Sequence, residues 1–110
     1  MKTLLSLLAA AVVLAAVPIA FAADAKEVYD KSCASCHGKD GKGDTPAGKK
    51  LKAKDYTDAK VQAEMKDEEM IKAVKEGIKD GDKTKMKGFG DKLTDEEIKQ
   101  LIAYIRSFKK

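Results

Sequence analysis

The chain has one histidine, two cysteines and no tryptophan among its 110 residues. A structural zinc site built from cysteine and histidine needs about four such ligands, so this chain cannot form one. One histidine also excludes any centre with two imidazole ligands from the same chain. No internal repeat occurs, and no segment shows the sustained alternation of apolar and polar residues that is typical of half-buried strands. These absences exclude zinc modules and folds built on βαβ units.

Large apolar side chains are also scarce. Leu, Ile, Val and Phe account for 13 of residues 23–110, about 15%, which is below the roughly 20% at which disorder becomes a concern. These 88 residues form one domain at most, and so small a domain usually needs a disulfide or a metal to stabilise it. We therefore expect a large apolar cofactor to complete the core. Without that cofactor we expect the polypeptide to be largely unfolded.

The N-terminal segment has the three parts of a secretory signal peptide. A basic start precedes an uncharged run rich in Leu, Ala and Val, and a small-x-small triplet follows at Ala20–Ala22. We expect cleavage after Ala22, so that residues 1–22 are a signal peptide and residues 23–110 are the mature domain. The predicted location is the periplasm.

An uncleaved membrane anchor is the alternative for this segment. The uncharged stretch of residues 3–23 is about 21 residues long, which is just enough to span a bilayer. Pro18 near its end and the Ala-x-Ala triplet favour cleavage. No cysteine stands at the junction, so we do not expect a lipoprotein anchor.

Helix signals occur at several points of the mature region. Asp24 as an N-cap predicts a helix over residues 25–34. Asp67 as an N-cap predicts another helix over residues 67–76, which ends near Gly77.

The final helix has the strongest signal, because Thr94 and Glu97 form a capping box. Apolar residues then recur at helical spacing, at Ile98, Leu101, Ile102 and Ile105. A shorter helix is predicted over residues 58–65. Loops rich in glycine and lysine separate the helices, at residues 38–58 and 81–90. The predicted fold class is all-α, with three to four short helices and long loops.

The chemistry lies in Cys33-Ala34-Ser35-Cys36-His37, which is the sequence of a c-type haem attachment site. Two thiols three residues apart at the end of a helix can each add to one vinyl group of the same porphyrin. The adjacent histidine then lies beneath the ring with a nitrogen directed at the iron. We predict one covalently bound haem c, with Cys33 and Cys36 as thioethers and His37 as an iron ligand.

Three other interpretations of this motif fit the sequence less well. Two close cysteines in an exported protein form a plain disulfide in many cases, but a disulfide explains neither His37 nor the scarcity of apolar residues. A thioredoxin-like redox pair needs βαβ units, which the sequence lacks. Half of a zinc site would need further ligands that the chain does not have.

The sixth iron ligand has to be Met, Lys, a terminal amine, water or nothing. Met65 and Met70 fall in predicted helices, where Met70 shares an apolar face with Val74. Met86 stands alone among Lys, Gly and Asp and has no helical face to join. We predict Met86 as the axial ligand, which raises the reduction potential. A filled sixth position favours electron transfer over ligand binding, so we expect no enzymatic activity.

The region after residue 22 resembles the small class I c-type cytochromes of bacteria, which carry one His/Met-ligated haem and shuttle electrons in respiratory chains. Besides the Cys33–His37 motif and Met86, the resemblance rests on Tyr29, on the turn at residues 41–46, and on the final helix with Tyr104. It implies a cytochrome c-like fold around one covalently bound haem.

The resemblance also implies that the first and last helices pack together, with the Tyr29 side against Tyr104. It implies that Pro46 accepts a hydrogen bond from His37 through its carbonyl, which would fix the imidazole. One departure is that many relatives have proline directly after the ligand methionine, where this chain has Lys87-Gly88. We therefore expect a looser ligand loop.

Both loops are rich in lysine, and a basic rim round the haem edge would attract a redox partner with an acidic surface. The alternative is an ordinary solvated surface, because acidic residues are interleaved. The net charge of residues 23–110 is only +3, so we expect no DNA or other nucleic acid as a partner. These loop lysines are Lys39, Lys42, Lys49, Lys50, Lys52, Lys54, Lys79, Lys83, Lys85 and Lys87.

The sequence thus predicts a monomeric electron carrier that meets membranes only through partner complexes. A haem-based ligand sensor or a small peroxidase is the rival from another class, and it would need an open iron site. A permanent haem subunit of a larger redox complex is the third interpretation.

Overall fold

The computed structural model describes Ala11 and residues 20–110. The described part contains six helices and one hairpin: α1 (Ala20–Ser32), α2 (Ala34–His37), α3 (Pro46–Leu51), α4 (Ala59–Glu64), α5 (Asp67–Glu76), β1 (Ile78–Asp80), β2 (Lys83–Met86) and α6 (Asp95–Arg106). The predicted all-α fold class is confirmed, with the small hairpin as an addition. None of the helices described is long and apolar enough to cross a membrane. The predicted signal peptide, residues 1–22, lies outside the described residues except for Ala11 and the start of α1.

Helix α1 begins earlier than the sequence predicted. It starts at Ala20 and ends at Ser32, so the prediction of Asp24 as its N-cap is wrong. Three of the four residues before Asp24 are alanine, the strongest helix former, and the helix therefore continues through them.

Helix α6 follows its sequence signals closely. The Thr94 hydroxyl oxygen accepts from the Glu97 amide at 3.2 Å, and the Glu97 carboxylate accepts from the Thr94 amide at 3.1 Å. The predicted capping box is therefore present. The apolar face of α6 is buried, at Ile98, Leu101, Ile102 and Ile105.

Helices α4 and α5 also lie close to their predicted positions. Asp58 caps α4 by accepting from the amide of Lys60 at 2.8 Å. Helix α5 spans the predicted residues, but its N-cap is Lys66 and Asp67 is its first residue. The prediction of Asp67 as a cap is wrong because its carboxylate accepts instead from the Arg106 guanidinium, at 2.7 Å.

The core lies where α1, α5 and α6 meet. Its buried members, here called the core cluster, include Tyr29, which is fully buried. The Tyr29 ring meets the rings of Tyr104 and Phe108 at centroid distances of 5.3 and 5.1 Å. The expected contact between the first and last helices is therefore confirmed. The other members are Cys33, Ala34, Met70, Val74, Ile98, Leu101, Ile102 and Ile105.

Two elements form where loops were predicted. Helix α3 starts with Pro46 at its first position, and the Thr45 hydroxyl oxygen accepts from the Gly48 amide at 2.9 Å. Strands β1 and β2 pair antiparallel, with Ile78 opposite Met86. Every residue of the hairpin except Met86 is exposed. Because neither face of most of the hairpin is buried, its sequence does not alternate between apolar and polar residues.

Candidate functional site

The end of α1 and the short helix α2 bring the two thiols and the imidazole together. Cys33 follows α1 directly and is buried in the core cluster, whereas Cys36 and His37 lie on α2 and are partly buried. The His37 amide donates to the Cys33 carbonyl at 2.9 Å, which closes one turn. The two cysteines are not joined in a disulfide. Burial, and to a lesser degree the adjacent Cys36 thiol, raises the pKa of Cys33 to about 11.

Helix α3 packs against the carbonyl end of this motif. The Thr45 hydroxyl donates to the Cys36 carbonyl at 2.8 Å. Gly48 lies directly against the same carbonyl, and a Cβ at that position would overlap it. A glycine is therefore required here for close approach rather than for a special backbone angle. No local pattern indicated this contact, because Gly48 resembled any other loop glycine.

His37 is positioned as a neutral imidazole. Its Nδ1 atom is buried and has no hydrogen-bond partner. Burial lowers the pKa of His37 below its ordinary value, which favours the neutral ring that binds metals. The expected hydrogen bond to the Pro46 carbonyl is not formed in this structure. Pro46 opens α3, and a carbonyl in the first turn of a helix is directed along the axis toward the amide four residues on.

Tyr56 is a site residue that the sequence analysis missed. Its ring stacks on the His37 imidazole, with centroids 5.1 Å apart and planes inclined by 22°. Its amide donates to the Gly41 carbonyl at 2.8 Å, and burial raises the pKa of its phenol to about 12. An aromatic residue in a lysine-rich loop, with no helical face to join, was the one available signal.

A polar clamp holds the Tyr56 segment against α6. The Gln62 side-chain amide donates to the carbonyls of Tyr56 and Ile105, at 2.7 and 3.0 Å. The Arg106 guanidinium donates to the carbonyls of Gln62 and Met65, at 2.6 and 2.5 Å. Four backbone carbonyls thereby find donors in two side chains, and the loop beside His37 is tied to the last helix.

The three methionines of the described residues have different surroundings. Met70 is buried in the core cluster, as its helical spacing suggested. Met65 and Met86 are partly buried and pack against that cluster from outside. Met86 ends β2. Cys33 is a member of the same cluster.

The donor set fits a covalently attached haem. Two free thiols and a neutral, partly buried imidazole are the groups that attachment and iron ligation require. Within Ala11 and residues 20–110, no group of three or more His, Cys, Asp or Glu side chains could hold a metal ion by itself. Partly exposed apolar side chains surround the core cluster and offer surface for a macrocycle to cover: Val28, Tyr56, Met65, Ile71, Met86, Phe89, Leu93, Tyr104 and Phe108.

The ten loop lysines are all exposed. Among the residues described, Lys49 is the only one of the ten in an ion pair, with Asp44 at 3.0 Å. By contrast, Lys26 and Lys31 on α1 are each paired with a carboxylate four residues away.

The chain is similar to known proteins over most of its length. The sequence model of the family described as "Cytochrome c" matches residues 22–109. The solved structure of the KustC0563 c-type cytochrome is 38% identical, with a TM-score of 0.69 and coverage of 78% of this chain and 98% of that one. A variant of that cytochrome with phenylalanine in place of one tyrosine is 37% identical, with a TM-score of 0.67 and coverage of 78% and 99%. No curated protein matches the chain.

Members of the matched family carry covalently bound haem c and are typically electron carriers rather than enzymes. The similarity, the fold and the donor set agree, and the chain therefore belongs to the cytochrome c family as a small class I c-type cytochrome.

Proposed function

We propose that this protein transfers one electron at a time through a single haem c, attached to Cys33 and Cys36 and ligated by His37 and Met86. The observation that carries the proposal is the partly buried His37 imidazole, whose buried Nδ1 atom has no hydrogen-bond partner, directly after the thiols of Cys33 and Cys36. A single histidine allows one imidazole ligand. Met86 supports the second ligand, because it is partly buried against the core cluster at the end of an otherwise exposed hairpin.

Each residue of the site has its own role. When bound, haem c supplies the one-electron chemistry at its iron. Burial of the His37 ring favours its neutral form, and Tyr56 restricts the orientation of that ring by stacking on one face. Cys33, buried in the core cluster, anchors the attachment point to the rigid part of the fold. A thioether from Met86 would favour the reduced state and raise the potential.

The location and partners are part of the same proposal. Residues 1–22 direct export and are removed, and residues 23–110 work in the periplasm as a monomer between respiratory redox proteins. The protein carries electrons and is not an enzyme, and it meets membranes only through its partner complexes. The rival functions, a ligand-binding haem protein or a fixed subunit of a larger complex, differ in iron access and in co-purification.

The loop lysines support a docking role. They are exposed, and nine of the ten lack an ion pair within the described part of the chain. Unpaired surface charges attract a partner of opposite sign over a Debye length. We propose that an acidic surface on the redox partner meets these lysines.

The ligand assignment is tested by spectroscopy of the holoprotein. Met86→Ala should abolish the weak red absorption band that iron–thioether ligation gives in the oxidised form. In the reduced form, the same change should allow carbon monoxide to bind the iron. Met65→Leu and Met70→Leu are the matched controls and should keep the band. If the band survives Met86→Ala, another methionine is the ligand. If the wild-type reduced protein binds carbon monoxide readily, the ligand-binding function is favoured instead.

The docking proposal is tested by charge reversal. Lys83→Glu with Lys85→Glu should slow electron transfer to the native partner by about tenfold or more at low salt. The wild-type rate should fall as ionic strength rises. Lys26→Glu with Lys99→Glu, on α1 and α6, carries the same charge change and should have a much smaller effect. Equal slowing by both pairs would point to net charge alone, and a rate independent of salt would contradict docking through lysine.

A further inference from the structure

The Met86 segment meets the end of α5 through its backbone, at a contact that we call the glycine junction: Gly77 on one side and residues 86–90 on the other. We infer that Gly77 and Gly88 are positioning residues for Met86, and that they do the work that proline after the methionine does in many relatives. The inference rests on the proposed function, in which Met86 ligates the iron.

The first support is that the segment after Met86 donates hydrogen bonds to carbonyls at the end of α5. The last four carbonyls of a helix have no partner within it. Here the Gly77 amide donates to the Ala73 carbonyl at 2.8 Å, the Phe89 amide to Val74 at 2.7 Å, and the Gly90 amide to Lys75 at 3.0 Å. The segment after Met86 therefore caps α5, and α5 fixes the segment in return.

The second support is the closeness of the two backbones. A Cβ on Gly77 would lie 2.5 Å from the Met86 carbonyl oxygen and 2.7 Å from the Gly88 nitrogen. A Cβ on Gly88 would lie 2.7 Å from the carbonyl carbon of Glu76 and 2.8 Å from its oxygen. These neighbours are backbone atoms, which cannot rotate away as a side chain would. Any side chain at either position must push the Met86 segment away from α5.

The junction accounts for the departure from the proline pattern. Proline fixes the φ angle of one residue, whereas the junction fixes a whole segment by two hydrogen bonds and by close backbone contact from Met86 to Gly88. Lys87-Gly88 is therefore not a sign of a loose ligand loop. Gly88 is required because its hydrogen lies where any other residue would place a carbon.

The hairpin also provides a control position. Gly81, at the turn between β1 and β2, has a φ of +62°, and nothing lies within 4 Å of the place where its Cβ would be. Alanine there strains the backbone without pushing on α5. Gly88 is the opposite case, because its φ is outside the left-handed region and its neighbours are close. The pair separates crowding at the junction from general damage to the hairpin.

The experiment compares Gly88→Ala, Gly81→Ala and Met86→Ala in the oxidised holoprotein. Imidazole binds the iron only when the thioether is released, so its apparent affinity reports the population of that open state. Gly88→Ala should weaken the red thioether band and raise the affinity for imidazole by about tenfold or more. Gly81→Ala should keep the band and change the affinity by about twofold at most.

The outcomes separate the two proposals. If Met86→Ala leaves the band and the imidazole affinity unchanged, Met86 is not the ligand and the proposed function fails at that residue. If Met86→Ala abolishes the band but Gly88→Ala behaves as Gly81→Ala does, Met86 is the ligand and the positioning role is wrong.

Hydrogen exchange of the wild-type protein covers the case in which Gly88→Ala does not fold. Displacement of the thioether by imidazole should speed exchange of the Phe89 and Gly90 amides by about tenfold or more, because release of Met86 and opening of the junction are then one event. The Tyr56 amide, bonded to Gly41, is the control and should not change. Unchanged protection of Phe89 and Gly90 would overturn the inference.

Discussion

The two halves of this domain are held together in different ways. Where α1, α5 and α6 meet, aromatic and aliphatic side chains such as Tyr29, Ile98 and Leu101 are fully buried. Residues 38–66 and 77–92 contain one buried side chain, Gln62, apart from glycine. The region where α1, α5 and α6 meet, here called the packed half, is stabilised by buried side chains. Residues 38–66 and 77–92, here called the loop half, are held by backbone contacts and polar hydrogen bonds.

Contacts at two glycines among residues 38–66 illustrate how the loop half is held. A Cβ on Gly41 would meet the Phe108 ring at 2.8 Å, and a Cβ on Gly43 would meet the Ala53 carbonyl oxygen at 2.8 Å. Such contacts fix the path of the chain but bury little apolar surface, which is the main source of folding stability. A sequence with so few large apolar residues thus buries side chains in only one of the two halves, and we expect the fold as a whole to need the cofactor.

The largest expected effect is loss of the covalent link. Cys33→Ala with Cys36→Ala should prevent attachment, and the haem-free protein should lose its cooperative thermal transition and most of its helix content. Circular dichroism measures both. Ser35→Ala, between the two cysteines and exposed, is the control and should behave as the wild type. A haem-free double variant that still unfolds cooperatively would show that the loop half does not need the cofactor.

Truncation in the core should have the next largest effect. Leu101 is 1% exposed, so Leu101→Ala should lower the free energy of unfolding of the holoprotein by about 2–5 kcal/mol through lost burial and a residual cavity. Leu51, which lies among residues 38–66, is only partly buried, and Leu51→Ala should cost less. Denaturant titration measures both losses, and equal losses would contradict the division into a packed half and a loop half.

The polar clamp tests the loop half, together with the exposed ion pair that Arg106 makes with Asp67 on α5. Arg106→Met keeps the apolar stem but leaves the carbonyls of Gln62 and Met65 without their donor, which should cost about 1–3 kcal/mol of unfolding free energy. Lys99→Met, on the same helix, removes only an exposed ion pair at 3.7 Å and should leave stability unchanged. If Arg106→Met were equally harmless, these bonds would add nothing to the loop half.

The smallest expected effect is a pH dependence at Tyr56. Its pKa rises from 10.0 to about 12 in the folded protein, so between these values the folded state keeps a proton that the unfolded state loses. The free energy of unfolding should therefore fall as pH rises through this window, by at most about 1.4 kcal/mol per pH unit for one group. Tyr56→Phe keeps the ring against His37 and should flatten the slope, as denaturant titrations of the reduced protein would show. An unchanged slope would mean that Tyr56 is not shielded from water.

The sequence predicted the packed half better than the loop half. The capping box at Thr94 and the apolar spacing of α6 are local signals, and both were confirmed. Helix α3, the hairpin, the stacking of Tyr56 on His37 and the close approach of Gly88 to α5 were not predicted. The stacking and the close approach depend on meetings with distant segments, which no local pattern of residue types encodes. Helix α3 and the hairpin are local elements, and the cap at Thr45 with Pro46 after it was a signal that the surrounding glycines and lysines obscured.

The hydroxyl of Tyr29 donates to the Gly38 carbonyl at 2.7 Å, directly after the Cys33–His37 turn, while its ring packs on Tyr104 and Phe108. The bond to Gly38 spans nine residues, whereas the ring contacts join Tyr29 to the last helix and to Phe108 just after it and close a loop nearly as long as the domain. One side chain thus ties the attachment turn to the C-terminal end of the chain, although the two lie far apart in the sequence.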